Sequence, residues 1–199
     1  MTAQPTPPPS SPPASSASQS SAPTTLGVGV VVWLASELMF FAGLFGAYFT
    51  LRGLNEPWPP ESVELATART SVATVILLSS SGTMHLAVTA AKRDDRRSAI
   101  RWLGVTALMG AIFLGNLVWE YAEAAFSVGD NAYGSIFYLM TGFHGLHVVG
   151  GLIFMGAIAA AIAGRSRAPA HETVEVCAYY WHFVDVVWVF MFLTIYVLR

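Results

Sequence analysis

Charge is scarce in this chain. Of its 199 residues only 11% are Asp, Glu, Lys or Arg, against 54% that are apolar or aromatic, a balance outside the range of a soluble domain. No long basic run exists and the formal charge is −2, which excludes a nucleic-acid surface built on clustered Lys and Arg. Cysteine is limited to Cys177, so no intramolecular disulfide, Cys-based cluster or two-Cys copper site can be assembled from this chain. A phosphate loop, a nucleophile elbow and a dinucleotide fingerprint are all missing.

What is present is apolar sequence in long blocks. A bilayer core needs about 20 apolar residues at 1.5 Å rise each, and five blocks reach that length: Gly27–Thr50, Thr70–Ala91, Trp102–Tyr121, Gly134–Ala163 and Val176–Leu198. The fold class expected is therefore all-α, an integral membrane bundle of about five transmembrane helices over residues 26–199. The second block is the most polar, SVATVILLSSSGTMHLAVTAA, but its hydroxyls can bond to their own helix or to a neighbour. Ahead of the first span, residues 1–25 are rich in Pro and Ser and carry no charged side chain. Such a segment cannot bury enough apolar surface to offset its ordering entropy and reads as a disordered tail. With neither a basic start nor an apolar middle it is no secretory signal.

Lys and Arg set the expected orientation. The link AKRDDRRSAIR holds five of the ten and Arg165 and Arg167 add two, whereas Arg52, Arg69 and Arg199 fall on the opposite side. Seven against three puts the N-terminus in the cytoplasm and the C-terminus outside, with Trp58 near the outer headgroups.

Several polar groups lie at membrane depth. Glu37 sits within WLASELMFFAGLF, where a charge costs on the order of 2.5–3.5 kcal/mol on insertion scales. It is either a neutral acid bonded to a neighbouring helix or a group that handles protons. His144 and His147 are three residues apart and share a helix face. A metal held by that pair would need further ligands, and interhelical hydrogen bonding is the default expectation. Gly142, Gly145, Gly150 and Gly151 on the same span allow close helix approach. His182 and Asp185 repeat the spacing in YYWHFVDVVWVF as an internal ion pair or a proton relay. Glu120 and Glu123, at the end of the third span, are expected on a solvated rim. Inward-facing histidines are too few for a haem plus copper site.

Four segments closely resemble subunit III of the haem-copper oxidases: SELMFF (Ser36–Phe41), EYAEAAFSVGDNAYGSIFY (Glu120–Tyr138), TGFHGLHV (Thr141–Val148) and YYWHFVDVVW (Tyr179–Trp188). They occur in order, and the similarity covers Val28 to Arg199. The resemblance implies a core subunit of a cytochrome c oxidase in the plasma membrane of a bacterium. It implies no haem or copper in this chain, packing against subunit I, which holds those centres, and company with subunit II, other complex members and lipids. It also implies support of proton uptake and of stability during electron transfer from cytochrome c to oxygen. The family's carbodiimide-reactive glutamate falls in the motif matched by SELMFF, which implies that role for Glu37. Longer members have seven spans, and this chain begins where their third would. The resemblance therefore does not extend to the lipid-holding cleft walled by their first two helices, and another subunit, extra helices on subunit I or lipid itself would cover that face. A quinol oxidase subunit or a nitric oxide reductase companion is the variant reading within the family, and a stand-alone transporter or channel is the reading outside it.

Overall fold

Inside lipid a backbone has no water to bond, so an apolar block of this length must satisfy its N–H and C=O groups within itself. The computed structural model describes residues 25–61, 63–164 and 170–198, and these form five long helices with no β-strand among the described residues. They are α1 (Thr25–Leu54), α2 (Thr67–Lys92), α3 (Arg96–Glu123), α4 (Ala132–Ala163) and α5 (Ala170–Phe192), the last running into a π-helical turn at Leu193–Val197. All five are long and apolar enough to cross a membrane. The expected tail at residues 1–25 lies outside the described residues except for Thr25, as do Arg165, Arg167 and Arg199.

The helices overrun the apolar blocks, and the excess has a physical origin. At 26 to 32 residues, α1 to α4 are roughly 39–48 Å long, whereas the hydrocarbon core is about 30 Å thick. Their ends therefore reach the headgroup layer, where polar residues are tolerated. The start of α3 shows this best. The Asp95 carboxylate accepts the Ser98 N–H at 3.1 Å, capping the helix six residues before the expected apolar start. The α2–α3 link consequently shrinks to Arg93–Asp95, with Asp94 at φ 55°, a left-handed conformation that Asp tolerates better than most residues.

Helices α2, α3, α4 and α5 close a ring in which each packs on the next, and α1 lies outside it against α4 and α5. In lipid the helices gain little by hiding apolar surface from one another, so association depends on close packing and hydrogen bonds. Small residues supply the first. A Cβ at Gly110 would fall 2.6 Å from Trp181 Cη2, and one at Gly151 would fall 2.7 Å from Trp181 Cζ3. The fully buried Trp181 ring therefore occupies a slot that only glycine leaves open on α3 and α4. Hydroxyls supply the second. Trp181 Nε1 donates to Ser80 Oγ at 2.8 Å and Trp188 Nε1 donates to Thr74 Oγ1 at 2.9 Å, tying α5 to the polar stripe of α2. Outside the ring, Trp33 of α1 stacks on Tyr180 of α5 with centroids 5.4 Å apart.

Candidate functional site

Of the SELMFF segment, Glu37 and Phe41 turn toward the bundle while Leu38, Met39 and Phe40 are exposed, so Glu37 lies at the α1–α4 seam. Glu37 Oε2 is 3.1 Å from His147 Nε2, across 110 positions of sequence. The other ring nitrogen is committed as well, because Nδ1 lies 2.7 Å from the Phe143 carbonyl and can only donate to it. With Nδ1–H so fixed, two arrangements complete the contact. Either neutral Glu37 donates its acid proton to Nε2, or an imidazolium donates Nε2–H to a carboxylate. In both, one proton is shared and the pair has no net charge, which lowers the cost of holding it at membrane depth. Phe41 lies edge-on to the His147 ring at 5.1 Å. Tyr180 Oη donates to the His147 backbone carbonyl at 2.8 Å, so α5 holds the same turn of α4.

His144 does not join this pair. It turns inward, fully buried, with its ring 4.9 Å from Trp188 and 5.8 Å from Phe113. Neither ring nitrogen has a hydrogen-bond partner. Interhelical hydrogen bonding is thus realised at His147 but not at His144. The three-residue spacing sends one ring to the seam with α1 and the other into the aromatic centre.

His182 and Asp185 come together through a third residue. Ser81 of α2 places its hydroxyl 2.9 Å from His182 Nδ1 and donates to Asp185 Oδ2. The hydroxyl has one proton to give, so with Asp185 as acceptor it receives from Nδ1–H of His182. Asp185 is 3% exposed and its Oδ1 is unbonded. The result is a hydroxyl-bridged chain from a half-buried imidazole to a buried acid, in place of direct contact.

The rim expectation fails for Glu120 and holds for Glu123. Glu120 is 3% exposed, with Oε2 accepting from Tyr196 Oη at 2.8 Å and from Thr70 Oγ1 at 3.2 Å. The physical reason is position: the carboxylate faces the first turn of α2, where backbone N–H groups lack helical acceptors and favour an anion. Glu123, one turn on, points outward and binds Arg69 Nη1 at 2.6 Å and Trp119 Nε1 at 2.6 Å. Among the described residues no three His, Cys, Asp or Glu side chains are grouped to hold a metal.

Comparison with known proteins gives this geometry its family. The family model for cytochrome c oxidase subunit III matches residues 16–199. The chain belongs to the cytochrome c oxidase subunit III family. It is 43% identical over 178 residues to the cytochrome c oxidase subunit 3 of Thermostichus vulcanus, covering 86% of each chain. It is 44% identical over 182 residues to a probable cytochrome c oxidase subunit 3 of Nocardia farcinica, covering 89% of this chain and 90% of the relative. The Mycobacterium tuberculosis protein of the same name gives the same figures. The chain is accordingly a component of an oxidoreductase complex, a cytochrome c oxidase subunit III with five helices long and apolar enough to span a membrane.

Within this subunit III, the sequence offered no direct sign of Ser81, Thr70 or Tyr196 as partners of the buried acids, or of Arg69 as the partner of Glu123. One signal was present. Thr70, Thr74 and Ser81 recur at helical spacing through the most polar span, and a hydroxyl stripe of that kind has to meet acceptors or donors on neighbouring helices.

Proposed function

We propose that this chain packs on subunit I of a proton-pumping cytochrome c oxidase in a bacterial plasma membrane. There it supports proton uptake and keeps the enzyme active during turnover, with the N-terminus cytoplasmic and the C-terminus outside. The carrying observation is the Glu37–His147 contact, two titratable groups 3.1 Å apart in the α1–α4 seam that hold one proton between them at no net charge. Such a pair passes a proton from one partner to the other without creating a net charge in lipid. Haem and copper reside in partner subunits on this reading. It is supported by the use of the candidate imidazoles elsewhere: both His147 nitrogens and His182 Nδ1 are hydrogen-bonded, and His144 is enclosed by Phe113 and Trp188. The cluster of Lys92, Arg93, Arg96, Arg97 and Arg101 around the α2–α3 turn supports the orientation.

Two experiments test the reading. Removing the chain from the complex is expected to leave the haem spectrum intact while shortening the active lifetime and slowing proton uptake. In the intact complex, Glu37→Gln is expected to slow proton uptake at high pH. Unaltered uptake in that variant, with an unaltered active lifetime in the depleted complex, would reduce Glu37 to a packing residue and the chain to a scaffold.

A further inference from the structure

Where α2 begins and α3 ends, the bundle opens a cleft of about 250 Å3 whose lining includes Glu64, Arg69, Glu120 and Glu123. Its polar atoms are only partly paired. Glu123 anchors Arg69 through Nη1, and the guanidinium lies over the Trp119 ring at 4.9 Å. Arg69 Nε and Nη2 are buried without a hydrogen-bond partner, and so is Glu120 Oε1. Nε and Nη2 form one edge of the planar guanidinium, the edge that grips two oxygens of a phosphate or carboxylate side by side. A buried donor edge and a buried acceptor left without partners each lose the hydration they would have in water and gain nothing in return. The cleft therefore calls for an occupant that both accepts and donates.

Charge narrows the chemistry. A purely anionic ligand would face the carboxylates of Glu64, Glu120 and Glu123. A purely cationic one would leave the Arg69 edge unfilled. A zwitterion with a phosphate and a primary ammonium a few atoms apart meets both demands. Depth identifies its source. The cleft lies at helix ends, where helices longer than the hydrocarbon core reach the headgroup layer. It adjoins the exposed Trp119, a residue type that favours this interface. We propose that the cleft is a headgroup site for a phosphatidylethanolamine-type lipid, with its phosphate on the Nε/Nη2 edge of Arg69 and its ammonium on Glu120 Oε1. This site stands apart from the Glu37–His147 seam and does not depend on the proton-uptake role.

The test uses the complete oxidase, delipidated and incubated with mixed micelles holding equal amounts of dioleoyl phosphatidylethanolamine, phosphatidylcholine and phosphatidic acid. Lipid retained per complex is read by native mass spectrometry. The wild type is expected to retain the ethanolamine lipid about tenfold over the choline lipid, whose methylated nitrogen has no N–H to give, and over phosphatidic acid, which has no ammonium. Arg69→Gln, which removes the guanidinium edge, is expected to abolish that preference. Glu120→Gln is expected to narrow it. Equal retention of the three lipids by the wild type overturns the proposal without recourse to any variant, and an unchanged preference in Arg69→Gln overturns the assignment of the site. Should Arg69→Gln fail to assemble, Arg69→Lys keeps the charge but lacks the planar edge, and a full ethanolamine preference in that variant counts against the proposal equally.

Discussion

Substituting Ala for Gly151 adds a single methyl group, and the surroundings fix its consequence. The new Cβ would lie 2.7 Å from Trp181 Cζ3, 2.8 Å from Cε3 and 3.2 Å from Tyr180 Cε1, whereas carbon contacts settle at about 3.5–4.0 Å. The indole has no free space to retreat into, being fully buried and held to Ser80 at Nε1. Overpacking of this kind costs about 1–3 kcal/mol. Alanine also returns up to about 1 kcal/mol of helix propensity over glycine, so the raw change understates the clash. Gly156, on the same helix with nothing within 4 Å of its added Cβ, supplies the control, since Gly156→Ala carries the propensity gain alone. The difference between the two variants is expected at about 1–3 kcal/mol. At about 2–4 °C per kcal/mol for a chain of this size, heating the purified complex and following loss of this subunit should release Gly151→Ala several degrees before Gly156→Ala. A smaller ring at Trp181 removes the obstruction, so Trp181→Phe should cost less in the Gly151→Ala background than in the wild type. Gly151→Ala and Gly156→Ala with equal midpoints would refute the claim that this slot requires glycine.

Three further outcomes follow from the buried polar groups and the loop. Ser81→Ala strips Asp185 of its recorded hydrogen bond and should lower stability by about 1–3 kcal/mol, measured as the thermal midpoint of the complex, with Ser81→Thr restoring most of it. His144→Phe removes ring nitrogens that bond to nothing, so it should be neutral or stabilising by about 1–2 kcal/mol; a loss of stability would show that those nitrogens have an unrecognised partner. At the α3–α4 turn, the hydroxyl and N–H of Ser127, both 2.7 Å from Asp130 Oδ2, hold the Asp130 carboxyl below its usual range. A depressed acid stabilises the turn fully above its ordinary value of about 4 and loses that contribution as pH falls through the lowered one. Amide protection at Ser127 should therefore persist through mildly acidic pH and fall only below about 4.

The spans were legible because lipid imposes a one-dimensional rule: a block of sufficient apolar length must be helical. Their ends were less so, because a cap such as Asp95 or a headgroup-level turn extends the helix beyond the apolar block. Glu37 stood out as costly by depth alone. Its partner did not, since two histidines at the right spacing on α4 offered the same chemistry and only packing distinguishes a ring facing α1 from one facing Trp188. Glu120 and Glu123 show the same limit. Three residues apart and identical in type, they read alike in the sequence, yet one lies under Tyr196 and Thr70 and the other reaches Arg69. Pairing across 76 or 110 positions is a property of helix contacts, which local pattern does not contain.

By itself, the amino-acid order determined that this protein lives in a membrane, how many times it crosses, which acids and imidazoles lie at depth, and which family its motifs resemble. Each of these depends on residue type and spacing along a single helix. Tertiary structure alone decided which imidazole shares a proton with Glu37, that a serine joins His182 to Asp185, and that Arg69 keeps an unfilled edge beside a buried carboxylate. Those outcomes depend on how helices are rotated against one another. A rotation of one residue step about the axis is enough to exchange a bonded ring for an enclosed one.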